Sequence, residues 1–305
     1  MLIFRWYLLL LAFASIGLQA NPLQLDEQYA VFDGQPVNLK EVIGHKPVYI
    51  KFWATWCLDC RKELPSLQKT YEQYRDTIAI YAVNLNINET DEYIRTLQQK
   101  HKLSIPIVMD NNGSIASNFQ FHGTPFHVLI NAQGEVVYTT YKDDAALQQQ
   151  LQQLANPGKN ITTLTKTITQ EKQTAAIPST GLSLVYFSAT WCDWYMKDIH
   201  PEMTPNCLGA IKLVNSLHQQ LPQLSLQAYV THLWTEQKDV DDYVKKFSIV
   251  YPVNIDSDNR IAQHYRSNEY PTLLVINNGK EINRFTKFDS PAEITKTITT
   301  LATKK

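Results

Sequence analysis

Lys51-Phe52-Trp53-Ala54-Thr55-Trp56-Cys57-Leu58-Asp59-Cys60-Arg61-Lys62-Glu63-Leu64-Pro65 decides how this 305-residue chain is read. Its left half belongs to a β-rich run, Pro47 to Ala54, and its right half leads into apolar residues at helical spacing, Leu64, Leu67, Tyr71 and Tyr74. Cys57 and Cys60 therefore stand where a strand gives way to the first turn of a helix. A helix start presents unpaired backbone N–H groups and the positive end of the macrodipole, which stabilise a thiolate at Cys57. Two cysteines on one such turn close a disulfide with little backbone movement. Exchange then runs by attack of one thiolate on a substrate disulfide, followed by resolution of the mixed disulfide by the second thiol. Cys57, nearer the exposed tip, is read as the attacker and Cys60 as the resolver. A zinc site would need two further ligands, and the chain has no second C-x-x-C.

Working outward, Thr77 to Asn84 reads as the next strand and Asp91 to Lys100 as a helix with Tyr93, Ile94 and Leu97 on its apolar side. Ile105 to Met109, Phe126 to Ile130 and Glu135 to Thr140 follow as short strands, the last two joined by the turn-forming Asn131-Ala-Gln-Gly134. Leu147, Leu151 and Leu154 mark a closing helix. The order β-α-β-α-β-β-α predicts an α/β layer structure around a mixed sheet.

The same landmarks return later in the chain. Asp110, Ile115, Ala116, Phe119, Pro125 and Ile130 recur as Asp256, Ile261, Ala262, Tyr265, Pro271 and Ile276, at an offset of 146 residues. Ala54-Thr55-Trp56-Cys57 recurs as Ala189-Thr190-Trp191-Cys192, at an offset of 135. Two occurrences in the same order predict a duplicated unit, with about eleven extra residues, Cys207 among them, inserted after the second motif. The second unit closes on Ile294, Ile298 and Leu301, after a capping box at Ser290 and Glu293 and a proline at the first helical position, Pro291.

At the start of the chain, Arg5, the apolar run Trp6 to Leu18 and Leu18-Gln19-Ala20 read as a cleaved signal peptide over residues 1–20. A retained anchor is the alternative, disfavoured because spanning a bilayer takes about 20 apolar residues. Export implies a periplasmic or otherwise extracytoplasmic location where disulfides persist. A net charge of -1, with no basic stripe, excludes nucleic acid as an expected partner.

The stretch from Lys51 to Pro65, with Gly123-Thr124-Pro125, resembles the TlpA/ResA-like extracytoplasmic members of the thioredoxin superfamily. That resemblance covers most of residues 22 to 155. Together with the duplication, it implies two tandem thioredoxin-like α/β domains, residues 21–156 and 179–305, each a mixed central sheet flanked by helices. Residues 157–178 serve as a linker or as the second domain's leading element. It further implies a cis Pro125 facing the disulfide, a Thr124 backbone that pairs with an extended substrate, a substrate contact at Trp56, and a proton-transfer or pKa-setting role for Glu63. Two positions depart from the family pattern: Asp59 replaces the proline that many relatives carry before the second cysteine, and Lys51 replaces a small polar or acidic residue. Asp59 destabilises a neighbouring thiolate and favours a reductant, while Arg61 and Lys62 act the other way.

In the second unit Cys192-Asp193-Trp194-Tyr195 keeps the first cysteine and replaces the second by tyrosine. Asp198 stands six residues past Cys192 as Glu63 does past Cys57, and Tyr270-Pro271 matches the proline loop. A structural Cys192–Cys207 disulfide is expected, with an unconventional redox pair or free thiols as alternatives. His200, between them, is read as a surface residue, and no metal site is expected.

The reading is an exported protein thiol–disulfide oxidoreductase, a reductase by family habit, with no cofactor beyond its cysteine pair. The second unit is expected to bind a partner or to hold a homodimer. Partners are protein thiols and disulfides, with a membrane electron donor and cytochrome maturation proteins as candidates. A non-catalytic adaptor with structural disulfides is the alternative. A thiol peroxidase ranks last, because Thr55-Trp56-Cys57 lacks the proline such an activated cysteine follows.

Overall fold

The computed structural model describes residues 23, 25, 28–119, 121–156, 179–197 and 199–303. The expected leader, the segment 157–178 and Asp198 lie outside the described residues. The first unit runs α1 (Leu39–Val42), β1 (Val48–Trp53), α2 (Leu58–Tyr74), β2 (Ala79–Asn84), α3 (Asp91–Lys100), β3 (Ile107–Met109), β4 (Phe126–Ile130), β5 (Val136–Thr140) and α4 (Ala145–Leu154). The second runs β6 (Leu182–Ser188), α5 (Met203–Gln220), β7 (Ser225–Thr231), α6 (Gln237–Phe247), β8 (Val253–Asp256), α7 (Arg260–His264), β9 (Thr272–Asn277), β10 (Lys280–Phe285) and α8 (Pro291–Thr303).

Each unit builds a five-stranded mixed sheet. The orders are β3-β2-β1-β4-β5 and β10-β9-β6-β7-β8, which are one topology listed from opposite edges. In each, the first strand lies at the centre, parallel to the second and antiparallel to the fourth in chain order. These are two thioredoxin-like α/β units.

The local chemistry explains the boundaries. Thr90 caps α3 by accepting from the Tyr93 N–H, and Asp144 caps α4 by accepting from Ala146 and Leu147. Asp110 and Asp256 repeat one device: the first accepts from the backbone of Ile115 and Ala116, the second from Ile261 and Ala262. β1, paired on both edges by β2 and β4, is buried along its whole length, as a central strand is when both faces of its sheet are covered. Leu64 and Leu67 of α2 pack onto that sheet, each contributing about 1.5–3 kcal/mol by leaving water.

One apolar core extends across both units, joining Phe52, Trp56 and Leu64 to Trp191, Leu233 and Leu274. A second lies on the other face of the second sheet, around Tyr186, Val214 and Ile298. The units meet through symmetry-related contacts. The Asn88 N–H donates to the Asn268 carbonyl at 2.9 Å, and the Trp234 N–H donates to the His122 carbonyl at 2.5 Å. Both pairs obey the offset of 146 found in the sequence. Gly113 and Asn259, related by the same offset, touch one another, and a Cβ at Gly113 would overlap the Asn259 amide. The Asn88 side chain also bridges the Tyr270 backbone, donating to its carbonyl at 2.8 Å and accepting from its N–H at 2.6 Å.

Candidate active site

The turn after β1 delivers Cys57 to the N-cap of α2, where its sulfur accepts the Cys60 N–H at 3.1 Å. Cys57 and Cys60 are disulfide-bonded, with Cα atoms 5.2 Å apart. The sulfur thus occupies the place where the helix presents its unpaired donors. Phe52 of β1 pairs with Phe126 of β4, so the residues before Phe126 lie at the sheet edge from which Cys57 emerges. Those residues are Thr124 and Pro125, joined by a cis peptide bond; Tyr270 and Pro271 are joined likewise in the second unit. The Thr124 hydroxyl is buried and has no hydrogen-bond partner among the described residues.

Behind the disulfide lies a buried ionic cluster. Glu63, one turn past Cys60 on α2, accepts from the Lys51 ammonium at 2.6 Å and stands 3.3 Å from Nε2 of His127. His127 Nδ1 meets the Tyr49 hydroxyl at 2.7 Å. Burial raises the Glu63 carboxyl, but the His127 contact and the charge and hydrogen bond of Lys51 outweigh it and hold the group down to about 2. Glu63 is therefore ionised at neutral pH. Lys51 is wholly buried, which lowers its pKa against the opposing pull of Glu63. The lysine at this unusual strand position is the counter-ion of Glu63.

A second carboxyl was not foreseen. Glu89 accepts from the Thr55 N–H at 2.6 Å, from the Thr55 hydroxyl at 2.5 Å and from the Asn84 amide at 3.0 Å, fixing the residue two before Cys57. Burial pushes it up to about 7, against those hydrogen bonds. In the second unit Thr235 holds Thr190 hydroxyl to hydroxyl at 3.0 Å. The offset of 146 pairs Glu89 with Thr235, yet the change of residue type conceals the shared role.

The tip of the first unit is not exposed as expected. Trp56 and Cys60 are each 0% exposed and Cys57 is 1% exposed. The second unit covers them: the Trp56 ring lies 5.3 Å from Trp191, 5.5 Å from Trp234 and 6.1 Å from Tyr195. The Tyr195 hydroxyl hydrogen-bonds the Leu58 backbone inside the cysteine turn. Trp234 seats itself on Gly123, where a Cβ would overlap its indole nitrogen.

In the second unit Cys192 is bonded to Cys207, with Cα atoms 6.0 Å apart. Cys207 lies on α5, the counterpart of α2. His200 is buried, edge-on to Tyr93 at 4.2 Å with Nδ1 3.5 Å from Glu202, so its reading as a surface residue is corrected. The insert that carries it folds down against α3 of the first unit. Among the described residues no three His, Cys, Asp or Glu side chains gather as a metal site.

A model of the AhpC/TSA family matches residues 16–139. Thiol-disulfide oxidoreductase ResA of Halalkalibacterium halodurans is 30% identical over 124 residues, which are 41% of this chain and 67% of that protein. Thioredoxin-like protein YneN of Bacillus subtilis is 30% identical over 123 residues, 40% of this chain and 71% of that protein. The chain belongs to the AhpC/TSA family. Within it, this chain is a thioredoxin-like thiol–disulfide oxidoreductase, the activity that the first of these relatives is named for. The crystal structure of StoA from Bacillus subtilis is 26% identical, covers 40% of this chain and 92% of that chain, and has a TM-score of 0.36. The family match ends at residue 139, inside the first unit.

Proposed function

We propose that this protein reduces disulfides in polypeptides outside the cytoplasm, with Cys57 as nucleophile and Cys60 as resolving thiol. The reading rests on one observation: the Cys57 sulfur caps α2, bonded to Cys60, at the sheet edge where the cis Thr124–Pro125 bond lies. In the reduced protein the Cys57 thiolate attacks a substrate disulfide. A Cys57–substrate disulfide forms, and the other substrate sulfur leaves as a thiolate that takes a proton from water. Cys60, deprotonated, then attacks Cys57, the second substrate sulfur departs, and the Cys57–Cys60 bond closes. Two electrons pass to the substrate, and a dithiol donor restores the enzyme.

Glu63 and Lys51 act as a positioning pair. An unpaired carboxylate one turn from Cys60 would oppose its ionisation, and the Lys51 ammonium offsets that charge. Asp59, exposed on the first turn, opposes the Cys57 thiolate, and Lys62, 2.7 Å from it, offsets that charge. Residues 1–20 direct export. Because rings of the second unit cover Trp56, a polypeptide reaches Cys57 only when that unit moves aside.

The near-complete burial of Cys57 favours a second reading, a non-catalytic adaptor with structural disulfides. Turnover of insulin or of a model disulfide peptide with a dithiol reductant separates the two. A Cys57→Ser rate equal to wild type would establish the adaptor, and loss of the protein-dependent rate would establish the enzyme.

A further inference from the structure

The duplication left the second unit with something the first lacks. Its Trp194 and Tyr195 stand where the first unit has Asp59 and Cys60, at the offset of 135, and Trp234 and Tyr243 stand where it has Asn88 and Leu97, at the offset of 146. Four positions that are non-aromatic in the redox unit have become aromatic. Together with Trp191 they line a single cavity of about 310 Å³.

Tyr195 and Trp234 stack at 30°, and the remaining rings stand across them. Trp194 stands at 87° to Tyr195, and Trp191 at 72° to Tyr195 and 84° to Trp234. An aromatic face carries negative charge density, so a cavity lined by five such rings offers surfaces that attract a cation. Trp194 is 54% exposed, so its ring can be reached from solvent.

Charge around the cavity has the matching sign. Asp239 and Asp242 of α6 line it. Asp242 makes no hydrogen bond or ion pair among the described residues, while Asp239 accepts only the Glu236 N–H at the start of its helix. Lys246 also lines the cavity, but its ammonium is taken by Asp193 at 2.6 Å. Two carboxylates are therefore left to face the space. The inner wall, Trp191, Tyr195 and Trp234, is the same set of rings that covers Trp56 beside Cys57.

We propose that this cavity is a subsite for a lysine or arginine side chain of the polypeptide whose disulfide meets Cys57. The proposal rests on the function proposed above and adds a substrate preference: a cationic residue close to the reacting cysteine. Filling the cage draws on the rings that close the redox centre, so recognition and exposure of Cys57 share the same residues.

The test is binding to the oxidised full-length protein, which needs no turnover. The probes are Ac-Gly-Gly-Lys-Gly-Gly-amide and the same peptide with norleucine for lysine, followed through the indole N–H resonances of the six tryptophans. The lysine peptide is expected to shift the Trp194 and Trp234 signals saturably and to bind about tenfold more tightly than the norleucine peptide. Asp242→Asn and Trp194→Ala, both at exposed positions, are expected to remove that preference while the remaining spectrum stays native. Equal affinity for the two peptides, no binding of either, or a preference unchanged in both variants would overturn the subsite. Choline binding in place of the peptide would overturn it too, in favour of a small quaternary ammonium ligand. Preferential binding without any turnover would instead sink the proposed enzyme activity and leave the subsite standing.

Discussion

Asn88 and Trp234 occupy equivalent positions of the two units, each with φ near +49°, and each donates its backbone N–H across the interface, Asn88 to Asn268 and Trp234 to His122. Each unit therefore places the loop after its second strand against the proline loop of the other. Trp234 sits against Gly123, with its backbone N–H on the His122 carbonyl. Trp234→Ala should loosen this closure. The expected result is at least a several-fold faster alkylation of Cys57 by iodoacetamide in the reduced protein. An unchanged rate would show that closure does not control access.

Lys51 and Glu63 form a buried pair, so removing one partner strands the other. Lys51→Met should lower stability by about 2–4 kcal/mol, at the low end because the Glu63 side chain is partly exposed. Glu63 also sets an acid limb. Its folded pKa lies below the ordinary 4.5, so its contribution is present above pH 4.5 and is lost as pH falls toward about 2. Denaturant titrations at pH 7 and pH 3 check both statements: the variant should show a smaller loss between them than wild type.

Glu89 predicts the opposite sign. Its folded pKa, about 7, lies above the ordinary 4.5, so the native state keeps a proton that the unfolded chain has released. Stability should therefore fall as pH rises from about 4.5 to about 7, by up to about 3 kcal/mol. Glu89→Gln should abolish that slope, and parallel stability curves for the two proteins would contradict it.

The Cys192–Cys207 bond closes a separation of 15 residues and pins the insert that reaches α3. Replacing both cysteines by alanine should cost about 3 kcal/mol from loop entropy. Chemical denaturation under oxidising conditions measures it, and a cost near zero would mean that the insert is held by packing of His200 and Met203 alone.

The succession of strands and helices and the duplication were legible because strand and helix periodicity report which face is buried, and because Asp110 and Asp256 preserve a local hydrogen-bonding device. The span of α3, Asp91–Lys100, follows directly from Thr90 as a cap and the apolar spacing behind it. The helix start at Cys57 is legible from its place between a β-rich run and helical spacing, although Leu58-Asp-Cys-Arg-Lys carries little apolar periodicity of its own; the sulfur of Cys57 supplies the cap. The role of Lys51 was hidden, since periodicity places it in a buried strand but says nothing of Glu63 across the layer. Closure of the two units was hidden for a similar reason. Trp234 lies in a loop, and no local pattern ties it to Gly123. His200 was misread because an isolated polar residue in an insert looks solvated until the packing of the insert is known.

The central claim is that Cys57 and Cys60 exchange disulfides with another polypeptide, and its most direct measurement is a trap. Reduced Cys60→Ser protein is mixed with a disulfide-containing peptide and analysed by intact mass under non-reducing conditions. A one-to-one adduct linked through Cys57, absent from Cys57→Ser protein and resolved rapidly in wild type, is the predicted result. Absence of any adduct at Cys57, including in a Trp234→Ala background where the second unit is loosened, would contradict the account.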